Sequence, residues 1–178
     1  MRIEFLGGTG TVTGSKYLLQ HAGRQLLVDC GLFQGLKQLR LRNWDPLPVA
    51  PGKIDAVLLT HAHIDHSGYV PRLVKLGLHG PVYASAATRE LCELLLPDSG
   101  RLQEEEADFA NRHGSSKHKP ALPLYTEEEA REALQRFETV PFDEVQAPWP
   151  GWQWRMQRAG HILGASSVRV ACEGTSIL

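Results

Sequence analysis

A chain of 178 residues is long enough for one domain with a sizeable core, and 42% hydrophobic with 22% charged residues is ordinary for a soluble globular protein. A formal net charge of −1 excludes a chain-wide basic footprint for nucleic acid, and no apolar run reaches transmembrane length. The three cysteines, Cys30, Cys92 and Cys172, are odd in number and widely spaced, which excludes a disulfide framework and a Cys-type zinc site.

Taken in order, Arg2 to Leu6 is predicted as a strand that runs into the glycine-rich segment 7–15. The glycine spacing is not G-x-G-x-x-G, and two further strands follow (Lys16 to Gln20 and Gln25 to Asp29) where a dinucleotide site needs a helix. A β-meander is expected instead. Leu36 to Pro51 is a polar, proline-dotted connection that carries Lys37, Arg40 and Arg42. Taken alone, these basic residues, and those of segment 113–119, read as solvated loop charge, although metal ions and local patches can supply a positive field.

Ala56 to Leu59 is a buried strand by its apolar run, and at its end stand His61, His63, Asp65 and His66. His61 and His63 are two apart, so in extended backbone their side chains point the same way. Three of the eight histidines crowd around one aspartate. Isolated histidines are usually structural or merely exposed, but a His-x-His-x-Asp-His cluster at a strand end points to metal. Two ions about 3.5–4 Å apart can clamp both oxygens of a hydrolysis.

Tyr69 to Leu76 is predicted helical with Pro71 in the first turn, Pro81 to Ala84 a strand, and Thr88 to Leu96 a helix. This alternation points to an α/β sheet. Pro97 to Pro123 is the least regular stretch, with a helical piece at 104–110; His113 and His118 lack ligand-like neighbours and are expected to be exposed. Thr126 to Glu129 is a capping box for a helix to about Phe137. Trp152, Trp154 and Met156 alternate with polar residues as in a half-buried strand, and the tryptophans are read as core. His161 follows between Gly160 and Gly164, then strands at Ser167 to Cys172 and from Thr175.

The His-Ala-His-Ile-Asp-His segment resembles the signature of the metallo-β-lactamase superfamily. Asp29 to Gly35 (Asp-Cys-Gly-Leu-Phe-Gln-Gly), Thr13-Gly14-Ser15 and the run from Ser99 through Tyr125 resemble its RNA-processing branch, the β-CASP nucleases. The resemblance implies an α/β fold, the N-terminal portion of an αββα sandwich over residues 1–178. It implies a ribonuclease using a hydroxide activated by two zinc ions, with manganese or iron as alternatives. His61, His63 and His161 would hold one ion, and Asp65 and His66 the second. Asp65 would also orient the nucleophile, and Asp29 would brace the histidines.

Family members continue with an Asp that bridges both metals, a β-CASP domain and the second half of the sandwich. Their absence here implies a weak or empty two-metal clamp and a poor enzyme. It also implies apolar surface on the strands carrying Val57 to Leu59 and Trp152 to Met156, and self-association through it. RNA is the expected partner, in a reducing, cytoplasmic compartment and away from membranes. A hydrolase of a small thioester, lactam or ester is the alternative, and an inactive metal-binding fragment a third.

Overall fold

Residues 16–28 bury side chains on both of their faces. Leu18 and Leu27 point one way and Leu19 and Leu26 the other, all at most 1% exposed. Burial on both faces demands a layer on each side of the sheet. The computed structural model, which describes residues 1–178, supplies both layers.

The central sheet begins with an antiparallel meander of β1 (Arg2–Gly7), β2 (Lys16–His21) and β3 (Arg24–Val28). Three short strands then add in parallel: β4 (Ala56–Leu58), β5 (Val82–Ala84) and β6 (Phe137–Thr139). Helices α1 (Lys37–Leu41), α2 (Ile64–Ser67), α3 (Val70–Lys75), α4 (Ala86–His113) and α5 (Glu127–Leu134) fill the connections. The chain then forms a separate antiparallel sheet of β7 (Trp152–Arg158), β8 (Ser166–Cys172) and β9 (Thr175–Ile177).

Alternation along β4 connects the layers. Val57 and Leu59 face the helices, with Val70, Leu73, Cys92 and Leu96. Ala56 and Leu58 face the second sheet, with Trp152, Trp154, Met156, Val168 and Val170. The order is therefore helices, sheet, sheet. The expected apolar exposure of the strands carrying Val57 to Leu59 and Trp152 to Met156 does not occur. Those strands bury their apolar residues against one another and the helices, with Trp154 the most exposed at 2%. Self-association through these strands accordingly loses its basis.

Three other expectations are corrected. α4 does not stop at Pro97 but runs through it to His113, capped by the Ser85 hydroxyl on the Thr88 amide at 3.2 Å and by left-handed Gly114. Pro97 removes one backbone hydrogen bond, yet Cys92, Leu96, Pro97, Gly100 and Ala107 form a buried stripe that offsets the loss. A Cβ on Gly100 would come within 2.6 Å of the Thr126 carbonyl oxygen, so α4 packs directly on the start of α5. α5 has the expected capping box but ends at Leu134, because Phe137 enters the sheet as a strand residue beside Val82. The 36–51 connection contains α1 and two 3-10 turns, Arg42–Trp44 and Pro51–Lys53.

Leu58 has no exposed surface and lies between the two sheets. Leu58→Ala is expected to cost about 2–5 kcal/mol in a urea unfolding titration, against about 1 kcal/mol for loss of the Thr126 cap in Thr126→Ala.

Candidate metal centre

The centre forms at the carboxyl ends of β3 and β4, where parallel strands place their following loops side by side. Val28 pairs with Leu58, and the Asp29 amide donates to the Leu58 carbonyl at 3.0 Å. Asp29 then turns into the left-handed region at φ 58°, a conformation that Asp tolerates better than most residues. The turn aims its buried carboxylate at the start of the next loop. Oδ1 accepts from the Thr60 amide at 2.8 Å, the Thr60 hydroxyl lies 2.9 Å from Oδ2, and His66 Nδ1 lies 2.7 Å from Oδ2.

That one carboxylate therefore spans the strand end and the histidine motif. The strand stops at Leu58, and α2 begins at Ile64. Asp65 and His66 thus lie within a helical turn, secured by the Ser67 hydroxyl on the Ala62 carbonyl at 2.9 Å. Residues 30–32 lie backbone to backbone against this turn. Cys30 donates to the His66 carbonyl at 2.7 Å and Leu32 to the Ile64 carbonyl at 2.9 Å. Gly31 sits between them, where a Cβ would fall 1.6 Å from the Asp65 carbonyl oxygen.

His161 arrives from the other sheet, on the loop between β7 and β8. The Gly164 carbonyl accepts from the Ser85 hydroxyl at 2.7 Å and the Thr88 hydroxyl at 3.0 Å. The Ser166 amide and hydroxyl both donate to the Thr60 carbonyl, at 2.9 and 3.0 Å. These bonds fix the loop against the ends of β4 and β5.

Three imidazole nitrogens converge as a result. His63 Nδ1 lies 3.2 Å from His61 Nε2 and 3.1 Å from His161 Nε2. Tetrahedral zinc with Zn–N bonds of about 2.0–2.1 Å sets ligand nitrogens about 3.3 Å apart. The two spacings to His63 and the donor chemistry fit such an ion, and the three ligand atoms all lie within 4.8 Å of one another. Asp65 and His66 lie alongside: the His66 ring centroid is 4.1 Å from that of His61, and His66 Nε2 is 3.6 Å from Asp65 Oδ2. His113 instead stacks on Phe109 and bonds its carbonyl at 2.9 Å, and His118 is exposed.

Sequence reasoning missed Thr60, which bonds Asp29 and lies 2.9 Å from His61 Nδ1, and missed Ser85, Thr88 and Ser166. Hydroxyls at strand ends carry no distinctive pattern. Lys16 was read only as a strand residue, yet it is buried and donates to the Gly31 carbonyl beneath the rings of Phe33 and Tyr69. Burial brings its pKa down to about 8.

The histidines divide electrostatically. Burial, then the neighbouring charges of His66, His63 and His161, bring His61 down to about 4, so at neutral pH it is a neutral imidazole. Burial also pulls on His66, but the hydrogen bond and charge of Asp29 outweigh it and its pKa rises. The signs for stability are opposite. His61 contributes stability that is lost as pH falls from 6.5 toward about 4, where only the unfolded chain takes the proton. His66 contributes stability present below 6.5 and lost as pH rises through its higher folded value. In metal-free protein, NMR titration should find His61 still neutral at pH about 5 and His66 half-protonated above 6.5. Coincident titration of the two would contradict the geometry. Gly31→Ala should displace α2 and lower the melting temperature by several degrees in a calorimetric scan.

The family model described as metallo-beta-lactamase superfamily matches residues 9–129. Ribonuclease TTHA0252 of Thermus thermophilus is 35% identical over all of this chain, which spans 37% of that protein. The transcription termination factor FttA of Methanocaldococcus jannaschii is 29% identical over 93% of the chain and 24% of its own length. Among solved structures, a metallo-beta-lactamase from Cronobacter sakazakii, an HARLDQ motif mutant, superposes with a TM-score of 0.59 at 22% identity, over 98% of this chain and 58% of that one. The metallo-beta-lactamase fold protein YhfI of Bacillus subtilis does so with a TM-score of 0.55 at 18% identity, over 98% and 58%. No helix is long and apolar enough to cross a membrane. The sandwich, the histidines gathered at its strand ends and the match over residues 9–129 have one reading: the chain belongs to the metallo-β-lactamase superfamily.

Proposed function

We propose that this chain carries the metal-binding part of a ribonuclease of the β-CASP branch that hydrolyses RNA phosphodiesters at a two-zinc centre. The observation that carries the reading is the convergence of His61, His63 and His161 beside Asp65 and His66. The names of the relatives, a ribonuclease and a transcription termination factor, support RNA as the substrate. The chain spans only 24–37% of these relatives, so the activity of the whole protein is part of the proposal.

His61, His63 and His161 would hold one zinc, and Asp65 and His66 would hold the second. When bound, the ions lower the pKa of water toward roughly 7 and polarise the phosphoryl oxygens. The chain's own residues do the rest. The Asp65 carboxylate accepts a hydrogen bond from the attacking water and aligns it with phosphorus. Asp29 holds His66 by Nδ1, which leaves Nε2 toward the centre. Thr60 ties the same carboxylate to His61, so two ligands share one brace.

His63→Ala should remove most bound zinc, read by elemental analysis after dialysis, whereas His113→Ala should leave the stoichiometry unchanged. Asp29→Asn keeps the left-handed backbone but not the charge, and should weaken zinc affinity by roughly 10–100-fold without abolishing it. Substrate class is tested by turnover of single-stranded RNA against a lactam and a thioester, using the chain extended to the full length of its relatives. Faster turnover of either small substrate than of RNA would overturn the ribonuclease reading.

A further inference from the structure

The two basic segments of the sequence, one at Lys37 to Arg42 and the other at 113–119, are far apart along the chain. The fold brings the first of them to the wall of one groove, and the flanks of the second, Ala110 and Ala121, to the wall opposite. The groove encloses about 740 Å³ between the α1 segment, through Trp44, and α4 with the strip 121–124. Leu32, Phe33 and Ile64 also line it. Ile64 is the chain neighbour of His63 and Asp65, although no side chain of the candidate metal centre lines the groove itself.

Lys37 and Arg40 line one wall, and Trp44 on the same wall is 46% exposed. Ala110 and Ala121 line the other wall and are the two feet of the basic loop. The Asn111 side chain locks these feet together, donating to the Ala121 carbonyl at 3.0 Å and accepting from its amide at 2.7 Å. The loop so closed carries Lys117 and Lys119, both exposed. Elsewhere on the surface Lys75, Arg101 and Arg131 are each paired with an acid. Lys37, Arg40, Lys117 and Lys119 enter no salt bridge, and Glu106 is the only acid lining the groove.

Unpaired cations on the wall of a cleft and on the loop that adjoins it, with a half-exposed indole that Arg72 flanks on one face, suit a single strand of nucleic acid. Its phosphates need a cationic track, and its unpaired bases need a flat apolar surface. A protein partner fits less well, because protein interfaces deplete lysine. We infer that this groove binds single-stranded RNA, with phosphates on Lys37 and Arg40 of its wall and on Lys117 and Lys119 of the adjoining loop, and a base against Trp44. This inference rests on the ribonuclease reading above and adds a substrate-binding surface to it.

The test is fluorescence anisotropy with a labelled 2′-O-methyl phosphorothioate oligouridylate, which resists hydrolysis, over a series of salt concentrations. K37E/R40E and K117E/K119E should each weaken binding more than tenfold and reduce the slope of log affinity against log salt by about 1.4, from two lost contacts. W44A should weaken binding by about tenfold with little change of slope. R155E/R169E, on the cross-strand pair of β7 and β8, is the control and should bind as the native chain does. Melting temperatures close to native exclude misfolding as the cause. RNA cleavage with undiminished binding in all three groove variants would overturn the groove and leave the ribonuclease reading intact. Absence of RNA binding and cleavage in the chain extended to the full length of its relatives, with turnover of the thioester or the lactam, would overturn both.

Discussion

A carboxylate removed from water must find donors for its oxygens, and this constraint organises the centre of the molecule. Asp29 is 2% exposed and sits where β3 ends beside β4. Its donors are a backbone amide, a hydroxyl and an imidazole, from residues 60 and 66. Satisfying the carboxylate therefore draws the histidine motif onto the sheet. The parallel pairing of Val28 with Leu58 brings acid and motif to the same level. Without it, Asp29 would be a buried charge with no partner.

The backbone between these groups allows little tolerance. Gly31 touches the Asp65 carbonyl with no room for a methyl group, and Ser15 donates to that same oxygen at 2.9 Å. Lys16 secures the other side by bonding the Gly31 carbonyl. The glycine-rich loop, the Asp-Cys-Gly segment and the one-turn helix thus form a single backbone cluster in which a shift of one piece moves the others. Cys30, fully buried inside it, has its thiol pushed up to about 12 by burial, which keeps it inert.

Much of this was legible in the residues. The meander at 16–29, the capping box at Thr126 and the alternating tryptophans all follow from local periodicity, and local periodicity survives folding. The histidine motif was legible because four potential ligands, three His and one Asp, fall within six positions at a strand end. What escaped depends on contacts distant in sequence. Pro97 reads as a helix stop until Gly100 is seen against Thr126, and Phe137 reads as helix until Val82 offers it a strand to pair with. The burial of Trp152 and Leu58 against each other's sheets could not be read from a chain expected to lack the second layer. Thr60 and Ser166 are ordinary residues locally, and only the meeting of two sheets gives them partners.

The position of His161 on the second sheet bears on the order in which the molecule assembles. The first sheet and its helices are encoded by residue 139, whereas His161 reaches its partners only when β7 and β8 dock and Ser166 bonds Thr60. The contact between His63 and His161 spans 98 positions, among the slowest kinds of closure for a folding chain. A chain emerging from the ribosome can offer His61 and His63 long before it can offer the third nitrogen. The three-nitrogen cluster is therefore a checkpoint of completion, because it exists only in a chain whose two sheets have already met.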